Sequence, residues 1–455
     1  MSAIEWDQTL IEKYNYSGPR YTSYPTALEF TGDFGMTEFD AAAARYPERP
    51  LSLYVHIPFC HKLCYYCGCN KVITRHQGKA DIYLDYLERE IETMAPRFAG
   101  RTVTQLHWGG GTPTFLTAPQ IQRLNGLLRK HFHFAESGEF SIEIDPRRIE
   151  LDLLDVLKAE GFNRISLGVQ DFNKDVQRIV NREQDNDFIR ALVARAAELG
   201  FESTNLDLIY GLPLQTKESF HHTLEQVVAM KPARLSVFNY AHLPSRFSAQ
   251  RKLKDEDMPA PAVKLAMLQD SIRYLTGQGY QFIGMDHFAL PDDSLAQAQR
   301  NGELHRNFQG YTTQGDCDLL GLGVSSISMI GDAYSQNHKD LKQYYARLDE
   351  LGHAQSVGYA LNEDDCLRRD LIKTLICNFE LDFAPLERQY GIEFEHYFAE
   401  DLQLLQTFVD DGLVVRETGA IRVTPKGRLL IRNICMCFDV HSRKQARRQQ
   451  FSRVI

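Results

Sequence analysis

Short apolar runs and longer amphipathic stretches alternate through the middle of the chain. Runs at residues 51–57, 104–108, 139–144, 164–169, 203–210 and 235–240 have the length and apolar content of buried strands. Residues 80–94, 118–131, 151–160, 185–199, 217–230 and 262–277 instead repeat apolar positions at helical spacing. Strand-then-helix repeated in this way predicts parallel βα units. Such a series suggests a barrel or an incomplete one. An open doubly wound sheet carries the same pattern, because periodicity does not report closure. Two more apolar runs, 280–285 and 319–330, are expected to extend the sheet or cover its edge.

The pattern changes at both ends. Residues 1–50 form an arm with a Tyr-, Pro- and Thr-rich stretch at 18–26 and only a weak helical period near 39–45. From about residue 361, helical periods at 364–377 and 398–411 precede two alternating runs that meet at Gly419, which predicts a hairpin. Helices followed by a small hairpin resemble a winged-helix domain. The division expected is therefore an arm (1–50), an α/β catalytic domain with an extension (51–360) and a small, mainly helical C-terminal domain (361–455).

The formal net charge of −9 argues against nucleic acid as the main partner, so the C-terminal domain is read as a scaffold or lid. A basic tail at 443–453 is the exception, and is expected to be solvated. Apolar runs are far shorter than the roughly 18 residues of a membrane span. The first ten residues carry Glu5 and Asp7 and no apolar segment of a secretory signal. A cytoplasmic location follows as the expectation.

Four of the nine cysteines fall between positions 60 and 69. A tight cluster in a large chain without a secretory signal points to metal binding or catalysis, not to a disulfide framework. The sequence Cys60-His61-Lys62-Leu63-Cys64-Tyr65-Tyr66-Cys67-Gly68-Cys69 spaces three thiols so that one loop wraps three corners of a cubane. Structural zinc, completed by Cys69 or His61, fits the spacing poorly. An electron-transfer cluster would need Cys69 as fourth ligand, and Cys-x-Cys is awkward for adjacent corners. The third reading leaves one iron open to a small molecule. Glycines at 109–111 and polar residues at the ends of later strands, Glu143, Gln170 and Asp207, lie where α/β folds place their chemistry. Asp207 sits in an otherwise apolar run and needs a partner, for which Arg182 or a ligand is the candidate.

A Cys-x3-Cys-x2-Cys loop just after the first strand of a βα series resembles the radical S-adenosylmethionine (SAM) superfamily, with Tyr66 the aromatic residue before the third cysteine. That resemblance implies an incomplete (βα)6-type barrel and a [4Fe–4S] cluster on Cys60, Cys64 and Cys67. SAM chelates the open iron, and its reductive cleavage yields a 5′-deoxyadenosyl radical. His56-Ile57-Pro58-Phe59-Cys60, Cys67-Gly68-Cys69-Asn70, Gly284-Met285-Asp286-His287-Phe288 and the 305–313 and 19–26 segments narrow it further. Together they resemble the bacterial oxygen-independent coproporphyrinogen III oxidases.

Membership would imply oxidative decarboxylation of two propionates of coproporphyrinogen III to vinyl groups, giving protoporphyrinogen IX for heme synthesis. It would also imply two bound SAM molecules. Residues matching the family's first SAM site are Tyr54, Gly110 and Glu143; those matching the second are Tyr66, Gly111, Thr112, Gln170, Arg182, Asp207, Ala241 and Ile327. Tyr66 is often Phe in close relatives, and a ring is kept. Arg20, His287 and Arg306 are candidates to meet the substrate's carboxylates. An electron donor to the cluster is required, and a monomer is expected. The rival from another class is a heme-binding chaperone of the same superfamily. That branch usually lacks the arm and continues Cys-Asp-Phe after the cluster cysteines, where this chain has Cys67-Gly68-Cys69.

Overall fold

The computed structural model describes residues 4–443. All of the basic tail except Arg443 therefore lies outside the described residues. The chain packs as two compact units, each discontinuous in sequence. The larger takes Phe30–Gln278 and Asp316–Ala360; the smaller takes Met1–Glu29, Gly279–Gly315 and Leu361–Ile455. This spatial grouping cuts the chain differently from a linear division at residues 50 and 360. A period read along the sequence reports the next element, not which distant segment it packs with.

The larger unit is built on β1 (Leu51–Ile57), β2 (Thr102–Gly110), β3 (His133–Ile144), β4 (Arg164–Gln170), β5 (Ser203–Tyr210) and β6 (Arg234–Asn239). Each pairs in parallel with the next in chain order. That order never reverses, as a doubly wound sheet requires, so the series is of the barrel type. It stays incomplete, because the second neighbour of β1 is β7 (Asp318–Leu322), again parallel, and not β6. From β7 the sheet continues antiparallel through β8 (Ile327–Ile330), β9 (Ala333–Asn337) and β10 (Gln355–Ala360). The 319–330 run thus extends the sheet, as two strands instead of one.

Burial explains the pattern. All of β1 except Tyr54 is buried, as expected of a parallel strand covered on both faces. The helix Ala118–His131 starts at Thr117, whose side chain and that of Gln120 form a capping box, and it buries Ile121, Leu124 and Leu128. Strand ends ran past the sequence reading by up to several residues. The short helix Lys174–Ile179, capped by Asn173, was not predicted, because six residues do not establish a period.

In the smaller unit, the helices Glu363–Asn378 and Ala399–Asp410 and the hairpin Val414–Glu417/Ala420–Val423 appear where the sequence placed them. A third strand, Glu380–Asp382, pairs with the hairpin and completes a winged-helix-like sheet. In the arm, Gln8–Tyr14 is a helix capped by Asp7, and Met36–Arg45 is a second one that buries Phe39 and Ala43. No helix among the described residues is long and apolar enough to cross a membrane.

Candidate active site

The cysteine loop leaves β1 at Pro58. Phe59–Cys60 and Val72–Ile73 pair in parallel across the base of the loop, so its two ends are held together. Two further contacts pin it from outside: Tyr65 N donates to Val180 O at 3.0 Å, and Asn181 Nδ2 donates to Leu63 O at 2.7 Å. The unforeseen helix Lys174–Ile179 is what positions those partners.

Cys60, Cys64 and Cys67 lie within electrostatic reach of one another. Burial pushes the Cys60 thiol up to about 11, partly offset by its hydrogen bond with Thr112 Oγ1 at 3.3 Å. Cys67 moves the other way, to about 6, chiefly through a hydrogen bond with the Cys69 thiol and further through the Lys71 ammonium. Arg147 Nη2 and Arg182 Nη1 both lie 3.4 Å from Cys64 Sγ. Thiols set among cations and donors are suited to hold an anionic iron–sulfur cluster, whose charge the guanidiniums balance. No three His, Cys, Asp or Glu side chains among the described residues converge on a single ion.

The glycines at the end of β2 are required by close approach. A Cβ at Gly111 would meet Pro58 O at 2.5 Å, and one at Gly110, whose φ is +115°, would meet the His56 ring at 2.7 Å. Gly109 lies against the Glu143 carboxylate, 3.0 Å from where its Cβ would be. Glu143 accepts from Gly110 N at 3.3 Å and contacts His107 Nε2 at 3.3 Å. The ring of His107 stacks on Tyr54, with centroids 5.9 Å apart. Tyr54, Gly110 and Glu143 therefore form one group across β1, β2 and β3.

Thr112 follows the glycines and touches Cys60. Gln170 ends β4 with φ +65°, a left-handed conformation uncommon for a side-chain-bearing residue. Its Oε1 is buried without a partner among the described residues, as is Arg182 Nε. Arg182 donates to Gly168 O at 2.5 Å and pairs with Asp145 at 3.5 Å. Burial works to raise the Asp145 pKa, but Arg182 and Arg147 hold it well below the usual carboxylate range.

Asp207 does not pair with Arg182, the protein candidate named from sequence. Its oxygens accept from Ser166 Oγ at 3.1 Å and Asn205 Nδ2 at 2.8 Å. Arg182 is taken up by Asp145 and Cys64, which the sequence spacing gives no means to foresee. Burial, reinforced by the Glu143 charge, raises Asp207 to about 6.

Tyr66 packs in an apolar cluster with Val176, Val180, Leu212, Tyr240 and Leu253. Its backbone is tied to Ala241 by one side chain: Gln250 Nε2 donates to Tyr66 O at 2.9 Å and to Ala241 O at 3.3 Å. Ile327 begins β8, and its backbone occupies the space where a Cβ of Gly321 would lie; Gly321 pairs with Tyr54. Sequence reasoning missed Gln250, whose partners are main-chain carbonyls and leave no pattern. It also passed over Arg147, although Asp145-Pro146-Arg147 at a strand end was a visible signal.

In the smaller unit, Arg20, His287 and Arg306 come together. Arg20 pairs with Asp286, Arg306 Nε donates to Arg20 O at 3.3 Å, and the Arg306 guanidinium lies 4.7 Å from the Tyr311 ring centre. His287 meets the same ring edge-on at 5.3 Å. Arg306 Nη1 and Tyr311 Oη are buried without partners among the described residues.

A parallel, incomplete barrel with a three-cysteine loop after its first strand and glycines after its second defines a radical SAM protein, and residues 54–227 match the Radical SAM superfamily. Residues 361–430 match the HemN C-terminal domain. The oxygen-independent coproporphyrinogen III oxidase of Escherichia coli is 68% identical over 452 residues, 99% of either chain. That of Pseudomonas aeruginosa is 51% identical over 462 residues, the full length of both. A solved structure described as coproporphyrinogen III oxidase (HemN) from Escherichia coli, a radical SAM enzyme, superposes with a TM-score of 0.94 at 66% identity, covering 97% of this chain and 100% of that one. The chain belongs to the oxygen-independent coproporphyrinogen III oxidase family.

Proposed function

We propose that this chain oxidatively decarboxylates two propionates of coproporphyrinogen III to vinyl groups, giving protoporphyrinogen IX in heme biosynthesis without molecular oxygen. The observation that carries this reading is the match, from end to end, to relatives bearing that name. The heme-binding chaperone reading has no comparable support.

When bound, a [4Fe–4S] cluster and SAM would supply the radical chemistry needed to remove hydrogen from a propionate. The protein's part is to bind, orient and shield. Cys60, Cys64 and Cys67 would hold the cluster, and Arg147 and Arg182 would balance its charge at Cys64. Tyr54, Gly110 and Glu143 serve a first SAM. Gly110 makes room for the His56 ring and holds the Glu143 carboxylate through its N–H, and Glu143 would present that carboxylate to the ligand's amino or hydroxyl groups.

A second SAM is assigned to Tyr66, Gly111, Thr112, Gln170, Arg182, Asp207, Ala241 and Ile327. Its support is the set of partnerless atoms on Gln170 and Arg182 beside Asp207. Arg20, His287 and Arg306 are assigned to substrate carboxylates, which the partnerless Arg306 Nη1 favours. The chain acts as a cytoplasmic monomer fed by an external electron donor. Its segments 1–50, 51–360 and 361–455 are arm, catalytic domain and helical domain.

The test is anaerobic reconstitution with iron and sulfide, then SAM, a reductant and coproporphyrinogen III, with products read by mass spectrometry. Protoporphyrinogen IX is expected. An intact cluster that cleaves no SAM, or tight heme binding without decarboxylation, would reject the assignment.

A further inference from the structure

Beside the cysteine loop lies a cavity of about 210 Å³, walled by His61, Lys62, Thr112, Arg147 and Arg148 among others. Two of its walls touch candidate cluster ligands: Thr112 bonds to Cys60 Sγ and Arg147 to Cys64 Sγ. Its rim is cationic. Arg148 and Arg75 are exposed, and both lie within electrostatic reach of His61. Lys62, Arg75 and Arg148 have no ion-pair partner among the described residues. Asp145 and Glu183 also line the cavity, but Asp145 is already matched by Arg147 and Arg182. Two exposed apolar side chains lie close to the cavity's lining residues along the chain or the sheet register. Ile73, paired in register with Cys60, is 43% exposed, and Leu151, two residues beyond the lining Ile149, is 36% exposed.

Unpaired cations around exposed apolar side chains form the kind of surface that docks a protein of opposite charge. A small anion would use the cations but not Ile73 and Leu151. On a chain of net charge −9, a local basic patch also orients an acidic partner that the rest of the surface repels. We propose that this face is the docking surface for a small acidic one-electron carrier protein, which passes its electron to the cluster across the Thr112–Arg147 wall. The carrier is oxidised by one electron and the cluster reduced by one, with no bond formed or broken. The proposal rests on the cluster assignment above.

The experiment uses the reconstituted full chain, with reduced flavodoxin as the acidic donor and photoreduced deazaflavin as a small reductant that needs no docking. Anaerobic stopped-flow absorbance reads cluster reduction in wild type, in the Arg75→Glu/Arg148→Glu double variant, and in Lys342→Glu, an exposed charge change outside the patch. The double variant should lose about tenfold in the flavodoxin rate at low salt and most of its salt dependence. Its iron content and its deazaflavin rate should match wild type. Equal flavodoxin rates in wild type and double variant, or an equal loss in Lys342→Glu, would overturn the proposal. So would inhibition of the flavodoxin rate by inorganic phosphate at constant ionic strength, which would mark a small-anion site. A wild-type chain that takes up no iron would fail the cluster assignment instead, and the proposal with it.

Discussion

Glu90 and Asp207 are both carboxylates shifted upward by burial, yet their surroundings serve different ends. Glu90, on the helix Gly78–Met94, is fully used. Tyr344 Oη donates to it at 2.6 Å, Gly323 N at 2.8 Å and Asn337 Nδ2 at 2.5 Å. The network fastens a helix to the turn between β7 and β8 and to the end of β9. Asp207 instead faces a second carboxylate, Glu143, near a glutamine and an arginine that each keep a partnerless buried atom. A fold closes its polar groups where they hold it together, and leaves them open where a ligand is to complete them. Burial alone does not separate the two cases; the state of the neighbours does.

The comparison can be broken in several ways. Replacing Cys60, Cys64 or Cys67 by Ala should remove most cluster iron and all turnover, read by iron analysis and visible absorbance. Unchanged iron would displace the ligand assignment. Glu90→Ala strands three donors and should lower unfolding stability by about 3 kcal/mol, measured by denaturant titration, while SAM affinity of the folded fraction is kept. Glu143→Gln should do the reverse. Stability should stay within about 1 kcal/mol, because this side chain is partly exposed, while SAM binding by calorimetry weakens by roughly 10–100-fold.

The smallest effect concerns Asp207. Its folded pKa of about 6 lies above the ordinary carboxylate value, so the folded state holds the proton more tightly. Stability should therefore fall as pH rises from about 4 to 6 and level off above that. Asp207→Asn should abolish that slope and stabilise the ligand-free chain by about 1 kcal/mol at neutral pH. A slope of the opposite sign would mean that Asp207 is held charged, as a structural ion pair would be.

Much of this was legible in the sequence because the signals are local. β1, the helix Ala118–His131 and β5 follow from apolar period, and the cluster loop from three spaced thiols. Other features depended on long-range approach. The Gly110–Glu143–His107 group joins two strands, and Gln250 joins Tyr66 to Ala241 through main-chain oxygens that any residue supplies. Asp207 illustrates the limit most clearly. Its need for partners was evident from an acid in an apolar run, but Ser166 and Asn205 were no more marked than Arg182. The grouping of Met1–Glu29 and Gly279–Gly315 with the C-terminal residues was equally invisible to a linear scan.

The central claim is that this open site directs radical chemistry onto a propionate side chain. The most direct measurement uses coproporphyrinogen III carrying deuterium at the propionate β-carbons, turned over anaerobically by the reconstituted chain with SAM and reductant. Deuterium should appear in the 5′-deoxyadenosine produced, alongside protoporphyrinogen IX. Protoporphyrinogen IX formed with unlabelled 5′-deoxyadenosine, or with none, would contradict the account.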